Sequence, residues 1–434
     1  MKIALINTFE TSGGAAIACK RIMKALQKAE IDVKLIVRDK TSNDPSVISV
    51  NNSFVKRKIN FVRFCWERLI IFISNHFNYK KLFLVSIANT GSNISQLPEI
   101  KEADIIHIHW INQGFLSLKD IKCFVETGKP IVWTMHDLWA CTGICHYAYK
   151  CEEYKRKCGN CSFLNSNKSN DLSNKIWKKK QFLNTSGINI VTVSSWLEGI
   201  VNESSLTKML STTVIPNVID TDIFKPYDKK ISRKIFALPD DKKILLMGAA
   251  RLDDYIKGGH FLQQALQYFS KREDILLVLF GNIKSEKSFV DNLSVKYIHL
   301  GLIKDASEIA KLYSAADVTI CPSLYETFGQ TISESMACGC PVVSFNNSGQ
   351  TDIINHKQNG YLAKSEDIDD LAKGIEWVLN NADTEQLSIK AREKATNTYN
   401  ENVIAKQYIE LFEKIINKQN VSSNSKCNFS VSSY

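Results

Sequence analysis

SLYETFGQTISESMACGCPVV, residues 323 to 343, decides the fold. It follows the apolar run DVTIC from Asp317, which predicts a buried strand, and it continues as TISESMAC, which predicts a helix of about two turns stopped by Gly339. The run PVVSF from Pro341 then predicts the next strand, so the unit reads as strand, loop, helix, strand of a parallel sheet. The loop carries Glu326, and Glu334 follows eight positions later, about a turn into the helix. A helix N-terminus offers unpaired N–H groups and the positive end of a dipole, so a phosphate can dock there while carboxylates accept hydrogen bonds from sugar hydroxyls. The alternative is a solvated Glu334 and a plain loop charge at Glu326.

The same alternation extends in both directions. Strands are predicted at KIALINT, at VKLIVR from Val33, at IIHIHW from Ile105, at PIVWTMH from Pro130 and at INIVTVSS from Ile188. A second series comprises KKILLMGAA from Lys242, ILLVLFG from Ile275, YIHLG from Tyr297, DVTICPS and PVVSF. A chain of 434 residues exceeds one ordinary core, and two domains of roughly 200 residues each are expected. Both read as doubly wound parallel sheets, with the boundary in IPNVIDTDIFKP near Pro216. An amphipathic helix from Glu401 to Asn417 closes the fold, and the Ser/Asn-rich tail from Gln419 is expected to be disordered.

Hydrophobic content is 44%, and no run reaches the roughly 18 to 20 apolar residues of a membrane span. The N-terminal strand meets polar residues and Gly13-Gly14 at once, unlike a signal peptide, so a cytoplasmic location is expected. Residues 1 to 215 carry 29 Lys or Arg against 17 Asp or Glu, and residues 216 to 434 carry 26 against 28, so the net charge of +10 belongs to the first half. Part of it lies in FVKRKINFVRFCWERLIIFISNHFNYKKLF, 54 to 83, where cations interleave with aromatic and aliphatic residues at helical spacing. Such a helix either lies on an anionic bilayer, at the inner face of the cell membrane, or packs on the first domain's core with its lysines in water. Lys175 to Lys180 reads as a solvated helix face. No nucleic-acid-binding motif accompanies the charge, and no nucleic-acid partner is expected.

Further candidates stand at strand ends, where doubly wound folds bind ligands. Arg251 and Lys257 follow KKILLMGAA and precede Gly258-Gly259, so two cations and a close backbone approach suit a diphosphate. Gly13 and Gly14 open a helix after the first strand, either as a tight turn or as amides reaching a phosphate or sugar. His136 follows PIVWTM and precedes Asp137; His107 and His109 alternate in IIHIHW and read as packing residues at the sheet end. Five cysteines lie between Cys141 and Cys161. Cys145, Cys151, Cys158 and Cys161 end in a C-x2-C pair, which leaves three readings: structural zinc, reduced thiols or disulfides. Cys321, Cys338 and Cys340 read as small buried residues.

Across most of its length the chain resembles retaining nucleotide-sugar glycosyltransferases of family 4. The resemblance is carried by KIALINTFETSGGAA, by His136-Asp137, by IPNVIDTDIFKP, by GAARLDDYIKGG from Gly248 and by YSAADVTICPSLYETFG with the E-x7-E pair Glu326 and Glu334. Thr327 and Val218 depart from the usual pattern. The resemblance implies a GT-B fold, two Rossmann-like domains facing across a cleft: an acceptor-side domain 1–215, with a Cys-rich insertion 141–161 such as some bacterial surface-polysaccharide enzymes carry, and a donor domain 216–400. Helix 401–418 would cross back to the first domain, followed by the tail 419–434.

It also implies transfer of a hexose from a nucleotide-diphosphate sugar to a glycan or lipid-linked acceptor, without a catalytic cofactor. Arg251 and Lys257 would meet the donor phosphates and Glu326 the hexose hydroxyls. Glu334 would meet the ribose, and His136 would sit beside the reacting sugar. Gly13, Gly14, Phe328, Gly329 and Gln330 would lie along the donor. Front-side attack, with a donor phosphate oxygen taking the acceptor's proton, competes with Glu326 as a covalent nucleophile. The alternatives are a nucleotide-sugar epimerase of the same fold, or a non-catalytic, zinc-stabilised protein binding glycan or nucleic acid. A phosphorylase would need a pyridoxal lysine site, which the sequence does not offer.

Overall fold

Among the described residues thirteen strands fall into two fully parallel sheets whose central strands are buried apolar runs, as parallel sheets covered on both faces require. The computed structural model describes residues 1–284 and 286–429. Contacts divide the chain into one unit of residues 1–216 with 404–434 and a second of residues 217–403.

The first unit contains β1 (Lys2–Phe9), β2 (Asp32–Asp39), β3 (Val47–Ser49), β4 (Ile105–Ile108), β5 (Ile131–Met135), β6 (Asn189–Thr192) and β7 (Ser211–Val214), ordered β3-β2-β1-β4-β5-β6-β7. The order reverses direction between β1 and β4, whose register pairs Ile3 with Ile105 and Ile6 with Ile108. Ligand crevices form at such a reversal, beyond the carboxyl ends of the strands. The helix α1 (Gly14–Lys28) follows β1, and α2 (Phe54–Ser74) follows β3.

The second unit contains β8 (Lys243–Arg251), β9 (Ile275–Asn282), β10 (Tyr297–His299), β11 (Val318–Cys321), β12 (Val342–Phe345) and β13 (Gly360–Ala363), ordered β10-β9-β8-β11-β12-β13. Here the reversal lies between β8 and β11, so residues after Arg251 and after Cys321 flank it. Leu245, Leu277, Leu279, Val318, Ile320 and Val343 form the centre of its core. The helix α3 (Gly259–Ala265) follows β8, and α4 (Gln330–Ala337) follows β11.

The last helix, α5 (Glu401–Phe429), differs from the expected disordered tail: no Gly or Pro interrupts VSSNSKCNF, and the backbone stays helical through Phe429. The remainder of that tail, 430–434, lies outside the described residues. Within the first unit, Tyr408 of α5 shares a 3.0 Å hydrogen bond with Thr134 on β5, and the Tyr408 and Phe412 rings pack on His107.

Candidate functional site

In the second unit the loop after β11 is built to present Glu326. The Glu326 N–H donates to the Ser348 hydroxyl at 3.0 Å, and the Gly349 N–H donates to the Glu326 carbonyl at 2.8 Å. Gly349 has to be glycine for this approach, because a Cβ there would stand 2.4 Å from the Thr327 carbonyl oxygen. Lys257 arrives on a single 3-10 turn, Tyr255–Lys257, capped by the Asp254 carboxylate and closed by Gly258 at φ +71°. The Leu324 N–H donates to the Ile256 carbonyl at 2.8 Å and ties that turn to the Glu326 loop. The result is a Lys257 Nζ–Glu326 Oε1 ion pair of 2.7 Å between residues 69 positions apart.

Arg251, at the end of β8, is held by acidic neighbours. It lies 3.5 Å from Asp253 and 3.3 Å from Asp254 and is half exposed. Phe328 is buried edge-on against Tyr399, and Gly329, at φ +112°, caps α4, whose first turn starts at Gln330. Glu334 sits one turn into α4, half-buried, where its charge adds to burial in pushing the Tyr313 hydroxyl up. The region thus gathers a carboxylate, a lysine and a helix N-terminus at the β8/β11 reversal, suited to a ligand with both phosphate and hydroxyl groups.

In the first unit Gly13 caps α1 at φ +88° with open space where a side chain would stand, and the end of the helix is exposed. His136, just past β5, meets His109 through a 2.9 Å Nε2···Nδ1 hydrogen bond. Burial lowers His136 to about 4, so the ring is neutral at pH 7 and one partner of the pair donates while the other accepts. His107 is buried behind it, 2.8 Å from the Thr134 hydroxyl. Asp137 binds His146 at 2.6 Å and the Trp110 indole N–H at 2.8 Å. Burial alone would raise this carboxyl, but His146 and the N–H donors outweigh it and hold it below its usual range. Elsewhere in the first unit a cavity of about 520 Å3 is lined by Arg38, Asp39, Lys40 and Gln113 with Arg57, Asn60 and Phe61 of α2, and Arg38 pairs with Asp39 at 2.7 Å.

Residues 12–223 match the family described as Glycosyltransferase Family 4, and residues 228–397 match Glycosyl transferases group 1. The two halves of the chain are glycosyltransferase domains. They are 28% identical, over 62% of this chain and 70% of the relative, to an uncharacterized glycosyltransferase of Methanocaldococcus jannaschii. A capsular polysaccharide biosynthesis glycosyltransferase of Staphylococcus aureus is 24% identical over 50% of this chain and 58% of its own length. Among solved structures, Anabaena HepE in complex with UDP-glucose superposes with a TM-score of 0.60 at 16% identity, covering 95% of this chain and 100% of that one. That likeness shows the fold alone, GT-B; the matched family models and the relatives make the chain an enzyme of the glycosyltransferase class.

In the cysteine-rich segment of the first glycosyltransferase domain, Cys145, Cys151, Cys158 and Cys161 lie close enough for their charges to act on one another. Among the described residues no group of three or more His, Cys, Asp or Glu side chains is placed to hold a metal ion. Cys145 and Cys158 are buried, Cys161 is half-buried and Cys151 is exposed, all as free thiols. Burial pushes Cys158 up to about 11, and its sulfur accepts the Gly143 N–H at 3.2 Å. Lys180, expected on a solvated face, is instead fully buried: Nζ donates to the carbonyls of Trp139 (2.6 Å) and Thr142 (3.0 Å) and sits 3.4 Å over the Trp139 ring. Ser348 and Gly349, which brace the Glu326 loop, are signalled in the sequence only by a Ser-Gly pair in the turn after the strand Val342–Phe345. His146 and Asp254 had no comparable signal.

Proposed function

We propose that this enzyme is a retaining glycosyltransferase that moves a hexose from a nucleotide-diphosphate sugar to a glycan or lipid-linked saccharide in surface polysaccharide synthesis. The reading rests above all on the 2.7 Å Lys257–Glu326 pair beside the N-terminus of α4. Breaking the bond between the anomeric carbon and the diphosphate leaves the electron pair on phosphate oxygen. Lys257, Arg251 and the dipole of α4 oppose that charge. Glu326, released from Lys257 as the lysine turns to phosphate, accepts a hexose hydroxyl, while Glu334 accepts from the ribose. The acceptor oxygen attacks from the face the diphosphate leaves, and its proton passes to a departing phosphate oxygen, so configuration is retained. His136, neutral at pH 7, can hydrogen-bond a sugar hydroxyl without adding charge. The cavity, where Arg38, Lys40 and Arg57 outnumber the one carboxylate of Asp39, suits an anionic acceptor. The UDP-glucose complex of HepE and the capsular role named for the S. aureus relative favour this donor type and this pathway class.

The test is release of nucleoside diphosphate from UDP-, GDP- and ADP-sugars by the wild type and by Glu326→Ala. One donor should be turned over, and the variant should lose roughly 100- to 1000-fold with an unchanged unfolding midpoint. Equal turnover by the variant contradicts the assignment of Glu326. The anomeric configuration of the product, read from the size of its H1–H2 coupling and set against that of the donor, tests retention.

A further inference from the structure

Helix α2 is built with its polarity reversed. Its inward face is polar: Asn60, Glu67 and Arg68 are buried, with Ile71 their one buried apolar companion on this helix. The Glu67 carboxylate accepts the N–H groups of Ile87 (2.8 Å) and Ala88 (2.9 Å) and pairs with Arg68 at 3.0 Å. Arg68 in turn donates to the Val85 carbonyl at 3.0 Å, and Asn60 donates to Asn51 at 2.6 Å. These bonds fix which face looks in. They leave Val55, Ile59, Val62, Trp66, Leu69 and Ile73 looking out, each between 45% and 64% exposed. The spacings of four, three, four, three and four put all six on one stripe of the helix. Phe54, Phe61, Phe77, Tyr79 and Phe83 widen the stripe and are 61% to 73% exposed. The helix thus packs on the first unit through a polar face with its lysines in water, as one reading of its sequence expects, and the apolar stripe is left over.

We propose that α2 and the turn that follows it dock this chain on an anionic lipid bilayer, lying in the interface. Charge selects this occupant. Lys56, Lys58 and Lys80 are exposed around the stripe, and the one acidic residue between 54 and 83, Glu67, is buried and paired. A second copy of α2 would bring cations against cations, with no acidic residues flanking the seam to match them. An anionic headgroup layer meets the cations while the acyl boundary takes the apolar stripe and the aromatic rings. No described helix is long and apolar enough to cross a membrane. Arg57, Asn60 and Phe61 of α2 also line the cationic cavity, so on the transferase reading an acceptor carried by the lipid surface would enter beside its anchor.

The experiment is sedimentation of the full chain with vesicles of phosphatidylcholine alone or mixed with phosphatidylglycerol, at low and high salt. The Val62→Glu/Trp66→Glu double variant is run in parallel, its thermal unfolding checked because both side chains face outward. The wild type should bind the anionic vesicles about tenfold or more tightly than the neutral ones, less so at high salt, and the double variant should lose that binding with its unfolding unchanged. Absence of binding to anionic vesicles overturns the proposal. So does binding that survives in the double variant, or a dimer in light scattering that the double variant dissolves, which would assign the stripe to a second copy. Vesicle binding needs no turnover, so its failure leaves the transferase assignment standing and the reverse also holds.

Discussion

Replacing Lys257 by Ala and Glu326 by Gln, singly and together, separates two roles that share one contact. The pair is 2.7 Å long, with Lys257 35% and Glu326 16% exposed, so solvent screens it in part. At an effective dielectric of about 20, unit charges about 4 Å apart interact by roughly 4 kcal/mol before desolvation. The net value of a charge-assisted hydrogen bond is smaller, about 1.5 to 3 kcal/mol. If Lys257 turns from Glu326 to the diphosphate, Lys257→Ala should weaken both the nucleoside diphosphate and its sugar conjugate by about 10- to 150-fold. Glu326→Gln removes the carboxylate that competes for the lysine, so the nucleoside diphosphate should bind at least as well, while turnover of the sugar conjugate falls. In the Lys257→Ala background the Glu326→Gln substitution should leave diphosphate affinity unchanged. Isothermal titration of the four proteins, with circular dichroism to confirm folding, reads all three effects. Equal loss of diphosphate affinity in Glu326→Gln and Lys257→Ala refutes the competition argument, and so does unchanged affinity in Lys257→Ala.

Gly258→Ala should lower the stability of the second unit by at least about 2 kcal/mol in calorimetry, because the residue holds φ +71° and a Cβ would stand 1.8 Å from the Pro322 oxygen. Glu10, buried with Lys20 at 2.6 Å, is held at about 2: burial alone would raise it, but Lys20, Ser42 and the amides of Thr41 and Ser42 outweigh that. Its contribution is therefore complete above its ordinary value near 4.5 and lost as pH falls toward 2, by roughly 2 to 3 kcal/mol, and Glu10→Gln should flatten acid unfolding in that window. Burial lowers His136 to about 4, so the unfolded chain takes up a proton the native ring refuses, and stability should fall as pH drops from 6.5 to 4. His136→Asn should reduce that slope, and the His136 imidazole signal in NMR should stay unprotonated down to about pH 5.

The sheets were legible where strands are long apolar runs, as in β1, β8 and β9, because a strand covered on both faces must be apolar throughout. The edge strands β3, β7 and β13 were not, since VIS, STTV and GYLA are short and carry little apolar signal. Lys257 and Glu326 were legible one at a time as residues following strands. Their contact was not, because it depends on a turn closed by Gly258 and a loop braced by Ser348. The same holds for the His109–His136 and Asp137–His146 pairs, whose members come from separate segments. In α2 the helical period was plain, but which face turned inward hung on amides at Ile87 and Ala88. Cysteine spacing likewise left open how far apart the thiols lie.

The central claim, a nucleotide-sugar donor site in the second unit, is tested most directly by calorimetric titration with UDP, GDP, ADP and their common sugar conjugates, run beside Arg251→Ala. Micromolar binding of one nucleotide and its conjugate is expected, weakened about tenfold or more in the variant. Correctly folded protein that binds none of them, or binds one equally well without Arg251, contradicts it.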